Sequence, residues 1–217
     1  MDGIVHFCFN KAALGRRPDG AAPSSTVTSA VFLDRDGTIN ARMVGGYVTR
    51  WADFDFLPGA ITGLRELSRL PDRIIVISNQ QAVARGLLSA EELKRLTRRF
   101  VKEVRRQGGR IDDVYYCPHL REAGCACRKP RPALLLRAAA DWSLELSRCC
   151  MIGDSLSDVL AAEAAGCSGI LIDAATDAGG NQDPRWLLAD DFAGAVRLIL
   201  QSHAAKGRAA RAAHQLG

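Results

Sequence analysis

Apolar positions in this chain fall into short runs set between stretches with a helical period. "AVFLD" (30–34), "RIIVIS" (73–78), "DVYYC" (113–117), "CCMIG" (149–153) and "GILID" (169–173) are runs of the kind that form strands buried on both faces. "PGAITGLRELSRL" opens on Pro58 and sets Ile61, Leu64 and Leu67 on one helical face. "SAEELKRLTRRFVKEVRRQGG" begins with a capping box from Ser89 to Glu92 and stops at Gly108-Gly109. Residues 133–142 and 157–165 read as two further helices, the second closed by Gly166. Strand and helix in regular alternation predict an α/β fold, a Rossmann-like parallel sheet with helices on both faces. Ligands on such sheets bind beyond the carboxyl ends of the strands. That rule gathers Asp34, Ser78, Cys117 and Gly153-Asp154 on one rim.

Composition leaves this picture intact. The 217 residues suffice for one well-filled domain with an added loop, and 47% apolar with 24% charged residues is ordinary for a globular protein. No apolar run approaches a membrane span, and the N-terminus lacks the basic start and apolar core of a secretory signal. A cytoplasmic location without a membrane partner is the expectation. Residues 1–28 have no sustained periodicity, end in "DGAAPSSTVTS" and read as a flexible extension. The domain is expected over 29–203, followed by a basic tail over 204–217.

Charge adds one exclusion. Of the net +5, one charge lies in residues 1–28 and three are Lys206, Arg208 and Arg211, so the 177 residues between are nearly neutral. A nucleic-acid partner wants a clustered basic surface instead. No exposed apolar stripe argues for an oligomer, so a monomer is expected.

Seven cysteines, an odd number without an export signal, favour reduced thiols over a disulfide framework. Cys149, Cys150 and Cys167 lie in or beside apolar runs and read as small buried hydrophobes. "CPHLREAGCACRKP" (117–130) is different, because three cysteines and one histidine share a short loop. A catalytic metal, a structural metal or bare thiols all fit that composition. The other three histidines, His6, His203 and His214, lie in or at the edge of the terminal segments and carry no assigned role.

Candidate chemistry sits at the strand ends. "FLDRDGTIN" (32–40) ends a strand with carboxylates at i and i+2, Asp34 and Asp36, which can face one pocket. One could attack as a nucleophile while the other moves a proton; an Asx-type turn is the plainer alternative. "ISNQ" supplies Ser78 and Asn79 as hydrogen-bond donors. "RKP" supplies Lys129, a point charge suited to phosphate, and Arg128, a planar fork suited to a second anion. "IGDSLSD" places Asp154 and Asp158 where oxygen ligands for a hard cation are needed, although Asp158 also suits the first turn of a helix.

"DRDGT", "SNQ", "RKP" and "GDSLSD", in this order, resemble the four motifs of the haloacid dehalogenase superfamily of phosphatases over about residues 29–175. The resemblance implies that Asp34 attacks phosphorus to form an aspartyl phosphate. Asp36 would protonate the leaving oxygen and then activate water. Asp34, the backbone carbonyl of Asp36, and Asp154 would hold magnesium, with Ser78 and Lys129 steadying the transferring phosphoryl group.

Within the superfamily the chain resembles the D-glycero-D-manno-heptose 1,7-bisphosphate phosphatases and the related histidinol-phosphate phosphatases. Both carry a zinc loop before "RKP", whose pattern Cys117, His119, Cys125 and Cys127 match. Three thiolates and an imidazole would close a tetrahedral shell, making the zinc structural. "GGYVTRWADFDFLPGA" and "NQQAVARGLLSAEEL" resemble the heptose enzymes, which implies substrate contacts from Gly46, Tyr47, Asn79, Gln80 and Arg85. Arg128 is the expected anchor for a second phosphate, with Arg85 the weaker candidate. Gln81 stands where the family usually has a small residue, and Ser155 replaces a basic one. Removal of the C7 phosphate of the heptose bisphosphate is therefore the expected activity. Histidinol-phosphate hydrolysis, a DNA 3′-phosphatase and a phosphosugar-binding module without catalysis are the alternatives.

Overall fold

The computed structural model describes residues 29–172 and 185–215, with side chains up to residue 209. The expected N-terminal extension, 1–28, lies outside the described residues, as does Asp173. The chain runs β1 (Ala30–Leu33), α1 (Ala60–Leu67), β2 (Arg73–Asn79), α2 (Ala90–Arg106), β3 (Asp113–Cys117), α3 (Ala133–Trp142), β4 (Cys150–Gly153), α4 (Leu156–Ala165), β5 (Ser168–Ile172), β6 (Leu187–Ala189) and α5 (Phe192–Gln215). All strand pairs are parallel, in the order β3-β2-β1-β4-β5-β6. That is a doubly wound sheet, with the topological switch between β1 and β4.

Side-chain alternation along the strands divides the core into two layers. Val31 and Leu33 of β1, Ile74 and Val76 of β2, and Ile152 of β4 face the layer filled by α1, α2 and α5. Phe32, Ile75, Ile77 and Met151 face the other, filled by Leu134, Leu135 and Ala138 of α3 and Ala161, Ala162 and Ala165 of α4. Both faces of the sheet are covered, which is why its strands read as apolar runs rather than as alternating ones.

Two helix starts are fixed by reciprocal caps. At α2 the Ser89 hydroxyl accepts from the Glu92 amide (3.2 Å), while the Glu92 carboxylate accepts from the Ser89 amide (2.6 Å). At α4 the Ser157 amide donates to Ser155 Oγ (3.3 Å) and the Ser155 amide to Asp158 Oδ2 (3.1 Å). The residue that departs from the family's basic position thus caps the helix beneath the site.

The apolar pattern stops at five strands, and the sheet adds a sixth with a closing helix. β6 is three residues long with Leu187 and Leu188 exposed, too short and too open to show a period. α5 buries Phe192, Ala195, Val196 and Ile199 and then continues into the basic segment that begins at residue 204. His203 Nε2 lies 3.0 Å from buried Asp72 Oδ2 before β2, tying α5 to the sheet. No helix among the described residues is long and apolar enough to cross a membrane.

Candidate active site

Beyond the last residue of β1, the Asp34 amide still donates to Ile152 O of β4 (2.9 Å). The carboxylate is therefore carried by backbone that the sheet has already fixed. The turn that follows closes on itself, with the amides of Ile39 and Asn40 donating to Arg35 O (2.8 and 3.0 Å). Gly37 in this turn has φ +92°, and a Cβ there would stand 1.8 Å from Asp154 Oδ2. The close approach brings the ends of β1 and β4 into one site.

Lys129 reaches that site from the loop beyond β3. Its Nζ lies 2.7 Å from Asp34 Oδ1 and 2.6 Å from Asp158 Oδ1, and donates to Ile77 O (2.7 Å). Burial alone would push the ammonium toward neutrality; the charges of Asp158 and Asp34 outweigh it and hold Lys129 protonated. Asn79 fixes the lysine from behind. Its Oδ1 accepts from the Lys129 amide (3.1 Å) and its Nδ2 donates to the Lys129 carbonyl (3.3 Å). The end of β2 thus sets the backbone of the residue that meets the nucleophile.

Asp34, Asp154 and Asp158 each offer an oxygen within 4.8 Å of the others. Burial first, and then the charge of Asp34, pushes the Asp154 carboxyl up to about 7. Burial likewise lifts Asp158 to about 6, against the pull of Lys129. Arg42, exposed at the mouth, lies 2.8 Å from Asp154 Oδ2. Crowded, half-desolvated carboxylates of this kind fit a hard divalent cation. Asp36 takes no part in the cluster through its side chain, which is held elsewhere. Its Oδ1 accepts from Arg35 Nη2 (2.9 Å) and Asn40 Nδ2 (2.9 Å), and its Oδ2 from Gln80 Nε2 (2.7 Å) and Arg35 Nη2 (2.9 Å). Burial pushes the Asp36 carboxyl up, but the Arg35 charge and these hydrogen bonds outweigh it and hold it below the usual range.

The Cys/His loop brings its four side chains together. Cys117 Sγ stands 3.5 Å from Cys125 Sγ and 3.7 Å from His119 Nδ1, which is 3.2 Å from Cys127 Sγ; Cys127 and Cys125 are 3.6 Å apart. Thiolates about 2.3 Å from a tetrahedral zinc stand roughly 3.8 Å from each other, so the spacing fits that ion. Arg131 donates to the carbonyls of Gly124 and Cys125 in the same loop.

A cavity of about 640 Å³ opens over Asp34, Asp36, Ser78 and Lys129. Gly46, Tyr47, Asn79, Gln80 and Arg128 line it, as do Arg42, Gln81, Arg121 and Arg131, to which the sequence reading gave no contact. Gln80 is buried, and its amide donates to Asp36 Oδ2 (2.7 Å) and Ser78 Oγ (3.1 Å). Arg85 does not line the cavity; its guanidinium lies over the Tyr47 ring, 5.9 Å from the centroid. Gln81, the departure from the family pattern, donates to the Tyr47 hydroxyl (2.8 Å) and joins the segments after β1 and β2.

Comparison with known proteins places this geometry. A HAD-hydrolase-like family model matches residues 126–195. D-glycero-alpha-D-manno-heptose-1,7-bisphosphate 7-phosphatase of Mycobacterium tuberculosis is 40% identical over 159 residues, covering 69% of this chain and 82% of that protein. The D-glycero-beta-D-manno-heptose-1,7-bisphosphate 7-phosphatase of Rhodopseudomonas palustris is also 40% identical, over 64% of this chain and 81% of its own length. The crystal structure of D,D-heptose 1,7-bisphosphate phosphatase from B. bronchiseptica, complexed with magnesium and phosphate, superposes with a TM-score of 0.75 at 29% identity. It covers 80% of this chain and 99% of its own. By sequence and by fold, this chain belongs to the haloacid dehalogenase superfamily of phosphatases, in the family of the heptose 1,7-bisphosphate 7-phosphatases.

Proposed function

We propose that the chain is a magnesium-dependent phosphatase that removes the C7 phosphate of D-glycero-D-manno-heptose 1,7-bisphosphate. One observation carries the reading. The Asp34 carboxylate, 2.7 Å from a buried lysine, opens onto a cavity that Arg42, Arg121, Arg128 and Arg131 also line. Such a site receives one phosphoryl group at its floor and a second anion at its wall. Arg128, at the wall, is the anchor for the C1 phosphate; the position of Arg85 outside the cavity speaks against it.

In the first step an Asp34 oxygen forms a bond to phosphorus. The bond from phosphorus to the C7 oxygen breaks, its electron pair leaves with that oxygen, and Asp36 supplies the proton. In the second step Asp36 takes a proton from water, the resulting hydroxide attacks phosphorus, and the Asp34–phosphorus bond breaks. Lys129 and Ser78 hold the phosphoryl oxygens throughout. Magnesium would be held by Asp34, Asp154 and the Asp36 carbonyl, and when bound it neutralises charge between nucleophile and phosphate. Asp158 acts behind them by fixing Lys129. The domain spans 29–203, since burial ends near Ile199 and side chains from Ala204 to Arg208 are largely exposed. A cytoplasmic monomer, without nucleic-acid or membrane partners, completes the reading.

A substrate panel tests it. Both heptose bisphosphate anomers belong in the panel, because α and β relatives are equally identical to this chain. Turnover of a heptose bisphosphate should exceed that of histidinol phosphate at least about 100-fold in kcat/KM, a difference of about 2.7 kcal/mol. The reverse order would overturn the assignment.

Metal affinity should depend on pH. Asp154 at about 7 holds a proton that a cation must displace, so apparent magnesium affinity falls about tenfold per pH unit below neutrality. Because the folded value is raised, the stability this group contributes without metal is present below pH 4 and lost as pH rises through 7. Magnesium should therefore raise Tm more at pH 8 than at pH 5.5, which a thermal melt reads directly.

The zinc has its own test. Cys127→Ser should bring bound zinc from one per chain to none and speed amide exchange across 117–131. It should cost on the order of 3 kcal/mol, or about 6–12 °C in Tm. Full activity in zinc-free protein would refute a structural role.

A further inference from the structure

Arg35, between the two aspartates, is the largest fully buried side chain among the described residues, yet no step of the reaction uses it. Its guanidinium lies between the rings of Phe54 and Tyr116, 5.9 Å from each centroid. Nη2 also donates to Gln80 Oε1 (3.2 Å), and the fork grips both oxygens of Asp36. A long cation packed between two rings under the sheet end has no other place to go. Asp36 does, because its side chain faces the cavity. Any movement that takes the proton to the leaving oxygen must therefore be made by Asp36 against a fixed partner.

We propose that Arg35 is the positioning residue of Asp36, a rigid buried dock that with Gln80 and Asn40 holds the carboxylate beside the reacting phosphoryl group. The proposal rests on the reading of Asp36 as proton donor. Without the dock, the Asp36 side chain samples its other rotamers, and the donor is absent from its place for most encounters. The cost falls on the step that needs the proton. An alkyl phosphate, whose alkoxide is a poor leaving group, depends on that step; p-nitrophenyl phosphate, whose phenolate leaves unaided, hardly does.

The experiment compares kcat/KM of the magnesium-loaded full chain on heptose bisphosphate and on p-nitrophenyl phosphate. Arg35→Met should lower the first about 100-fold and the second less than about 5-fold. Arg35→Lys, which keeps the charge and loses the fork, should recover only a minor part of the loss on the sugar. Equal losses on the two substrates, or none, would overturn the proposal by making Arg35 merely structural. If Arg35→Met does not fold, Gln80→Met replaces it; the ratio of the two rates should then move about 5-fold in the same direction, and an unchanged ratio overturns the proposal. Asp36→Asn separates the two ideas. A selective loss on the sugar in Asp36→Asn with none in Arg35→Met sinks the dock alone, whereas no selectivity in Asp36→Asn sinks the proton-donor reading and the dock with it.

Discussion

Asp34→Asn should lower kcat at least about 10⁴-fold while leaving the fold intact. The amide keeps the shape of the side chain and removes the oxygen nucleophile. Substrate binding should survive, because Lys129 and the arginines around the cavity are untouched. Stability should change by no more than about 1 kcal/mol, since two effects oppose. Lys129 loses one of its two carboxylate partners, while Asp154 loses the nearby charge that helps push it up to about 7. Rapid quench with labelled p-nitrophenyl phosphate, whose phenolate leaves without a proton, gives the positive control. In Asp36→Asn, where water activation is slowed, label should accumulate on the peptide that contains Asp34. Label found elsewhere, or substantial turnover by Asp34→Asn, would refute the covalent route.

Lys129→Met should damage both activity and stability. The ammonium is buried between two carboxylates and also satisfies Ile77 O, so its removal leaves Asp34 and Asp158 facing each other without a counter-charge. Breaking a buried pair from one side costs about 3–5 kcal/mol. Here the loss should depend on pH, with a definite sign. Asp158 already stands at about 6 through burial, with Lys129 pulling it down, so without the lysine it moves further up. A carboxyl raised in the folded state contributes stability below its unfolded value, near 4, and loses it as pH rises through the folded one. The gap in Tm between variant and parent should widen from pH 5 to pH 8. Magnesium should restore part of the stability but not the turnover, because the phosphoryl oxygens still lack their cation. A gap that narrows with rising pH would mean that Lys129 is not the counter-charge of this pair.

How much of the site could be read from the chain depended on where each residue's partners lie. Asp34, Ser78, Lys129 and Asp154 announce themselves, because each stands at or just after a strand end or in a motif of distinctive composition. The Cys/His loop was legible through its resemblance to the family's pattern, and the fold brings the four side chains together. Arg35 was not, since a charged residue between two aspartates looks solvated until Phe54 and Tyr116 are seen on either side of it. Asp158 admitted a ligand reading and a helix-cap reading. Its bond to the Ser155 amide bears out the cap, and its ion pair with Lys129 adds a partner that neither reading named. Resemblance to the heptose enzymes implied a substrate contact for Gln80, which does line the cavity; its amide bond to Asp36 was not legible, because only the folded turn brings that neighbour there. β6 and α5 were missed for want of a signal, the first through brevity and exposure, the second because its basic end masks the buried stretch from Phe192 to Ile199.

Gly37 and Gly153 carry a consequence for anyone interpreting sequence variants in this family. A methyl group on Gly37 would meet Asp154 Oδ2 at 1.8 Å, and one on Gly153 would meet the Asp158 carboxylate at 2.3 Å. In a library of all single substitutions scored for activity, both positions should be depleted as thoroughly as the nucleophile itself, alanine included. Neither has a functional group, so a map of intolerant positions would overstate the number of reacting residues by counting the space reserved for two carboxylates as chemistry.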